Sequence, residues 1–284
     1  MRDRSEQGIA LIAVIWALAL LSIIAANLSV EANTSTRVAR NLDESAVAQA
    51  AADAGIQRAI LDLGTSTTTA GAGGFRSDGT VYAWRFSNST VLISIKDEAS
   101  KIDLNKAPEA LFTALFESIG VDPDQAESLA DAIADFRDAD NLKHLHGAEE
   151  PEYRDAGLAW GPKNAPFQTI EELQQVLGMT AEIYDRVAPD LSVYALTSTL
   201  PATDDERLTR IISQAGFEPS SVATSPRAVF TIRAEAKTDN GGVFIRQAIV
   251  QLSTEGAAVQ SGPLILSWGK DWSHNSEMKT SAAR

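Results

Sequence analysis

Between Val121 and Asp155 the chain carries eleven acidic side chains and three basic ones. Asp135, Asp138 and Asp140 lie close together around an expected helix end, with Glu149 and Glu150 in the loop beyond. Carboxylates crowded in this way are costly to ionise unless solvent or a cation screens them. A hard cation such as calcium, which takes about 6–8 oxygen ligands in flexible loop geometry, suits such a set. Two readings stand: a solvated acidic face, or a cation site. Asp138-Ala139-Asp140-Asn141 begins like an EF-hand loop but lacks its later glycine and glutamate. His144-Leu145-His146 sets two imidazoles two positions apart. Without a third nitrogen or sulfur ligand nearby, a loop surface is the stronger reading than a transition-metal centre.

Other chemistries are weakly represented. With no cysteine, disulfides, thiolate metal sites and a cysteine nucleophile are excluded. The sequence holds no G-x-S-x-G, no phosphate-binding loop, no H-E-x-x-H and no dinucleotide fingerprint, so an enzyme is not expected. The net charge of -14 repels phosphate backbones. Residues 99–194 alone contain 19 acids and 7 bases, a balance of -12, so no nucleic-acid partner is expected either.

The acidic stretch must be positioned by helices. Leu111, Phe112, Leu115, Phe116 and Ile119 follow a 3.6-residue period, with Asn105 as a candidate cap, Pro108 in the first turn and Gly120 as the stop. Asp122-Pro123 opens a second helix carrying Ala126, Leu129, Ile133 and Phe136, and Thr169-Ile170-Glu171-Glu172 opens a third. On either side lie strand patterns. Val81–Phe86 and Val91–Lys96 flank a turn at Ser87–Ser89, and Ala228–Lys237 and Val243–Leu252 flank Asn240-Gly241, a strong hairpin signal. An amphipathic helix, Asp204–Ala215, is expected in the segment connecting the helical insert to the second strand pair, and a polar tail follows from Trp268.

The N-terminus is of another kind. Met1–Gly8 is polar, its two arginines balanced by Asp3 and Glu6, and an uncharged run from Ile9 to Val30 follows at once. As a helix that run is about 33 Å long, the thickness of a bilayer's hydrocarbon core. No proline occurs before Pro108, and alanine-rich, helix-periodic sequence continues to Leu63, so one unbroken helix is expected, ended by Gly64 and a threonine-glycine stretch.

A short polar leader ending in glycine, with an apolar helix directly after it, resembles the class III signal of type IV pilins and type II secretion pseudopilins. SKIDLNKAPEAL, ADAIADFRDAD, GAEEPEY and PKNAPFQTIEELQQVLGM resemble the extra helical domain of the K-type minor pseudopilins (general secretion pathway protein K). The fifth mature position, where most pilins carry glutamate, is Ala13, and K-type members typically lack that glutamate.

The resemblance implies an α+β fold, in which a long N-terminal transmembrane and amphipathic helix packs on an antiparallel pilin-type sheet, with a large, mostly helical domain inserted between strands. The expected divisions are leader 1–8, transmembrane helix 9–30, first pilin-type part 31–98, acidic helical insert 99–194, connecting segment 195–226, second pilin-type part 227–267 and tail 268–284. It also implies cleavage after Gly8 by a prepilin peptidase and N-methylation of Ile9. The chain would then be a single-pass inner-membrane protein with its soluble part in the periplasm. Its partners would be the I and J minor pseudopilins, met through helix positions such as Val38 and Leu42. Calcium is implied in the helical domain, with Asp135, Asp138, Asp140, Glu149 and Glu150 as candidate ligands. The function implied is to cap the secretion pseudopilus and help start its assembly. The alternatives are a DNA-uptake pilin-like protein, since DLNKAPEAL and EELQQVLGM also resemble helix-hairpin-helix modules, and an ordinary anchored periplasmic domain with an uncleaved leader.

Overall fold

The computed structural model describes residues 4–65, 74–195, 200–221, 229–252 and 262–270; the side chains of residues 4–12, 28–30 and 32–34 lie outside the description. Helix α1, Arg4–Thr65, is 62 residues long, about 93 Å at 1.5 Å per residue. Glycine and Thr-rich sequence at its end, and the lack of proline within it, account for where it stops and why it does not break.

The last third of α1 lies on an antiparallel sheet of five strands in the order β1-β2-β5-β6-β7. These are Asp78–Phe86, Ser89–Asp97, Val229–Thr238, Val243–Gln251 and Leu264–Lys270. The interface is built from alternation on one side and helical period on the other. Val91, Ile93 and Ile95 of β2 and Phe230, Ile232, Ala234 and Ala236 of β5 meet Ala51, Ala52, Ile56, Ala59, Ile60 and Leu63 of α1. The small residues bring the helix close. A methyl group added at Gly55 would lie 2.8 Å from Val91 Cγ1 and 3.0 Å from Ala234 Cβ. Asn240-Gly241 forms the expected β5–β6 turn, with Gly241 at φ +94°, a backbone conformation that glycine reaches without penalty. β7 is a fifth strand that the sequence pattern did not suggest. It carries Trp268, Gly269 and Lys270 into the sheet, where a polar tail was expected to begin.

The sheet is interrupted between two adjacent strands. Asp97 at the end of β2 is paired with Phe230 at the start of β5, and the whole helical unit is threaded between them. Its neck is a two-residue parallel pair, β3 (Ile102–Asp103) with β4 (Leu191–Ser192). Within it stand α2 (Glu109–Ser118), α3 (Pro123–Arg137), α4 (Glu150–Asp155) and α5 (Ala181–Val187). Asp122 caps α3, its side chain accepting from the Asp124 amide, and Pro123 sits in the first turn.

Three local expectations are corrected. Asn105 does not cap α2: its side chain clamps Phe167, donating to the carbonyl at 2.9 Å and accepting from the amide at 2.7 Å. Ile170–Gln175 is a 3-10 turn rather than an α-helix. Helix α6 (Glu206–Gln214) does not merely connect: Leu208, Ile211 and Ile212 are buried in the core of the helical unit with Leu111, Leu115 and Ile133. An amphipathic face must be covered by something, and the open side of α2 is what covers it.

Among the described residues no helix is long and apolar enough to cross a membrane. Side chains of the uncharged run are described from Ala13 to Asn27, a stretch short of the ~20 residues that a crossing needs.

Candidate functional site

The acidic candidates gather where α3 ends. Asp131 and Asp135 sit one turn apart on the same face of that helix, and Asp138 is its C-terminal cap. The carboxylates therefore stand at the negative pole of the helix, a position that suits cations. The loop from Ala139 to Gly147 then folds back over them. Its amides are held by the carboxylates they pass: the amide of Leu142 donates to Asp140 Oδ1 at 2.8 Å, that of His144 to Asp135 Oδ1 at 3.1 Å, and that of His146 to Asp131 Oδ2 at 2.9 Å. Asn164 ties the next loop to this one through the Asp140 carbonyl and Asn141. The closure depends on Gly147. A methyl group there would land on Asp135 Oδ2, 2.8 Å from Asp135 Cγ and 3.2 Å from the Asp131 carbonyl.

Asp135 is fully buried, and its Oδ2 has no hydrogen-bond partner; Asp138 Oδ1 and both Glu149 carboxylate oxygens are likewise buried without one. Buried oxygens left in this state are costly. Burial, then the charge of Asp140, pushes the Asp138 carboxyl up from its usual range. Burial, then the charges of Asp135, Asp138 and Asp140, pushes Glu149 up as well. The floor of the site is Tyr153, a buried phenol whose oxygen accepts from the Leu177 amide at 2.9 Å and whose pKa burial pushes up to about 12.

Of the five ligands expected from the sequence, four belong to this one electrostatic cluster: Asp135, Asp138, Asp140 and Glu149. Glu150 does not. It stands in the first turn of α4 with its side chain 70% exposed, paired at 2.5 Å with Arg154 one turn on. Glu149 is the extended N-cap and Glu150 the first helical residue of α4, so their side chains leave the chain in different directions. The residue that sequence reasoning left on the surface is His144. Its Nδ1 contacts Asp135 Oδ1, and the Asp135 hydrogen bond pushes the imidazole up. Asp135, Asp138 and His144 each offer a ligand atom within 4.8 Å of the other two. His146 lies further back along the same face of α3, 3.6 Å from Glu127 and 3.8 Å from Asp131. The signal for His144 was a histidine nine residues after an aspartate in the last turn of a helix, but only loop closure gives that spacing meaning.

The other candidates lie on α1. Val38 is 52% and Leu42 67% exposed, on a stretch not covered by the sheet. Val14, Ile15, Trp16, Leu18, Leu20 and Leu21 are also exposed. Gly8 and Ile9 lie within α1 at positions whose side chains are outside the description.

A family model described as type II secretion system (T2SS), protein K, matches residues 91–196, from β2 through the neck of the helical unit. That segment of the chain is similar to the type II secretion system protein K family. The type II secretion system protein K of Klebsiella pneumoniae is 26% identical over 276 residues, covering 90% of this chain and 84% of that one. The protein of that name from Dickeya chrysanthemi is 35% identical over 83 residues, 29% of this chain and 22% of that one. Among solved structures, the GspK-GspI-GspJ complex from enterotoxigenic Escherichia coli contains a chain similar at a TM-score of 0.48 and 15% identity, covering 85% of this chain and 99% of that one.

Proposed function

We propose that this chain is a minor pseudopilin that caps the tip of the type II secretion pseudopilus and helps initiate its assembly for export of folded proteins across the outer membrane. The role is structural, without catalysis. The observation that carries this reading is the insertion of a protein K domain between adjacent strands of a sheet borne by the end of a 62-residue helix. The sheet covers only the last third of that helix. Among the described residues nothing covers the exposed Val14–Leu21 region or the exposed Val38 and Leu42, and such faces call for lipid or neighbouring helices. In the reading proposed, the Ile9–Val30 run anchors the chain once in the inner membrane after cleavage at Gly8 by the prepilin peptidase, with Ile9 methylated and the soluble part in the periplasm. The I and J minor pseudopilins pack along Val38 and Leu42.

The helical unit would hold calcium, and the residues present fit it. Asp135 and Asp138 at the negative pole of α3, with Glu149 at the start of α4, carry four buried oxygens with no hydrogen-bond partner, a donor set of hard oxygen atoms. Asp135, Asp138 and Glu149 would hold the ion, with Asp140 beside them, and the ion would neutralise the crowded charge and fix the loop.

Two measurements test the proposal. The intact mass of protein purified from membranes should correspond to a methylated chain beginning at Ile9, and Gly8→Leu should block the conversion. The full chain should form a one-to-one-to-one complex with its I and J partners, and Val38→Asp or Leu42→Asp should weaken it while leaving the fold intact. Homopolymeric filaments of the chain, or a complex indifferent to both substitutions, would overturn the tip assignment.

A further inference from the structure

We infer that the cluster at the end of α3 is a site for a first-row transition cation as well as a hard one, with His144 as its nitrogen ligand beside Asp135 and Asp138. This rests on the reading above that the cluster holds a cation, and it adds to that reading the class of metal and the residue that selects it.

The donor set is mixed. Asp135, Asp138 and His144 present their ligand atoms within 4.8 Å of one another, and Asp135 is fully buried with Oδ2 unpartnered. Glu149, also buried, brings two further oxygens without partners to the same electrostatic neighbourhood. Metal–ligand distances of about 2.0–2.2 Å keep ligand atoms within roughly 4.4 Å of each other, so small side-chain rotations would close the set around an ion. A carboxylate-only cluster favours calcium or magnesium, whereas an imidazole nitrogen among carboxylates adds affinity for manganese, iron or zinc.

His144 is also held in position for the task. Its amide is bonded to Asp135 Oδ1, and the ring turns back so that Nδ1 faces the same carboxylate. A direction fixed by its own backbone in this way is what a ligand needs before the metal arrives. The side chain is 42% exposed, which leaves a route from solvent on that side. His146 makes the matching amide bond to Asp131 Oδ2, but its Nδ1 lies 3.8 Å from that carboxylate and 3.6 Å from Glu127, one to two turns back along α3 from Asp135.

Manganese is the probe, because its electron spin reports directly on a bound nitrogen. The full chain in detergent, carrying no histidine tag, is stripped with a chelator and titrated with Mn2+, and the bound ion is examined by electron spin-echo envelope modulation. The expected result is a 14N modulation from one imidazole in the wild-type protein that persists in His146→Gln. In His144→Gln it should vanish, and Mn2+ affinity should fall by about tenfold or more, since even second-sphere changes commonly cost 10–100-fold. Calcium binding by His146→Gln, measured by calorimetry, should stay within about threefold of wild type. Bound Mn2+ with no nitrogen coupling, alongside normal calcium binding, would overturn the inference and leave the calcium reading standing. Binding of neither ion would overturn both.

Discussion

Replacing Glu98 by alanine should detach the helical unit from the sheet energetically. Glu98 follows β2 where the chain leaves the sheet, and its carboxylate is 1% exposed. It accepts from Lys101 Nζ at 2.6 Å, from Ser192 Oγ at 2.5 Å and from Thr231 Oγ1 at 2.5 Å. Those partners belong to the neck's entry, the neck's exit and β5, so one carboxylate ties all three. Removing it strands the Lys101 ammonium, whose side chain is 11% exposed, and breaking a buried pair from one side costs about 3–5 kcal/mol. The hydroxyl bonds are not added on top, because Ser192 and Thr231 can turn to other acceptors. Lys101→Met in the same chain removes the stranded charge and should recover at least half of the loss. Burial pushes the Glu98 carboxyl up, but Lys101 and the hydroxyl donors outweigh it, and the net displacement is downward from 4.5. A carboxyl with a depressed folded pKa stabilises above its unfolded value and loses that contribution as pH falls through the folded one. The wild-type advantage over Glu98→Ala should therefore be flat near neutrality and shrink below about pH 4.5. Urea unfolding of the full chain in detergent, followed by circular dichroism at several pH values, measures all of this. A loss below about 1 kcal/mol at pH 7, or a double variant no more stable than the single one, would refute the buried-strut reasoning.

Chelated protein should gain about 2.7 kcal/mol when calcium is restored to about a hundredfold above its dissociation constant, read as a rise in Tm; magnesium should do less, and Asp135→Asn should remove the gain. Gly147→Ala pushes a methyl group into the Asp135 carboxylate, and overpacking of this kind costs about 1–3 kcal/mol. Most of its effect should appear as lost calcium stabilisation in the same thermal scans. Gly55→Ala sets a helix-propensity gain of about 1 kcal/mol against the same cost of about 1–3 kcal/mol, so unfolding measurements should show a net loss of up to about 2 kcal/mol.

Local order in this protein is written in local sequence. The proline-free α1, the Asp122-Pro123 start of α3 and the Asn240-Gly241 hairpin each rest on neighbouring residues: helix propensity, a capping carboxylate beside a proline, and a glycine at positive φ. The acidic density between Val121 and Asp155 was equally plain from composition. What no local pattern contained was which groups would meet. Glu149 and Glu150 are neighbours of identical chemistry, yet one is buried beside Asp135 and the other pairs with Arg154 in solvent, because the start of α4 separates them. His144 and His146 are set against different carboxylates, Asp135 and Asp131, by a loop whose closure a side chain at Gly147 would obstruct. α6 reads as a connector until the uncovered side of α2 is known, and Glu98 reads as a surface acid until the neck brings Ser192 and Thr231 to it from 94 and 133 residues away. Short-range geometry follows from short-range sequence. A buried charge acquires its partners only when chain segments far apart have been packed together, and only the tertiary structure decides that.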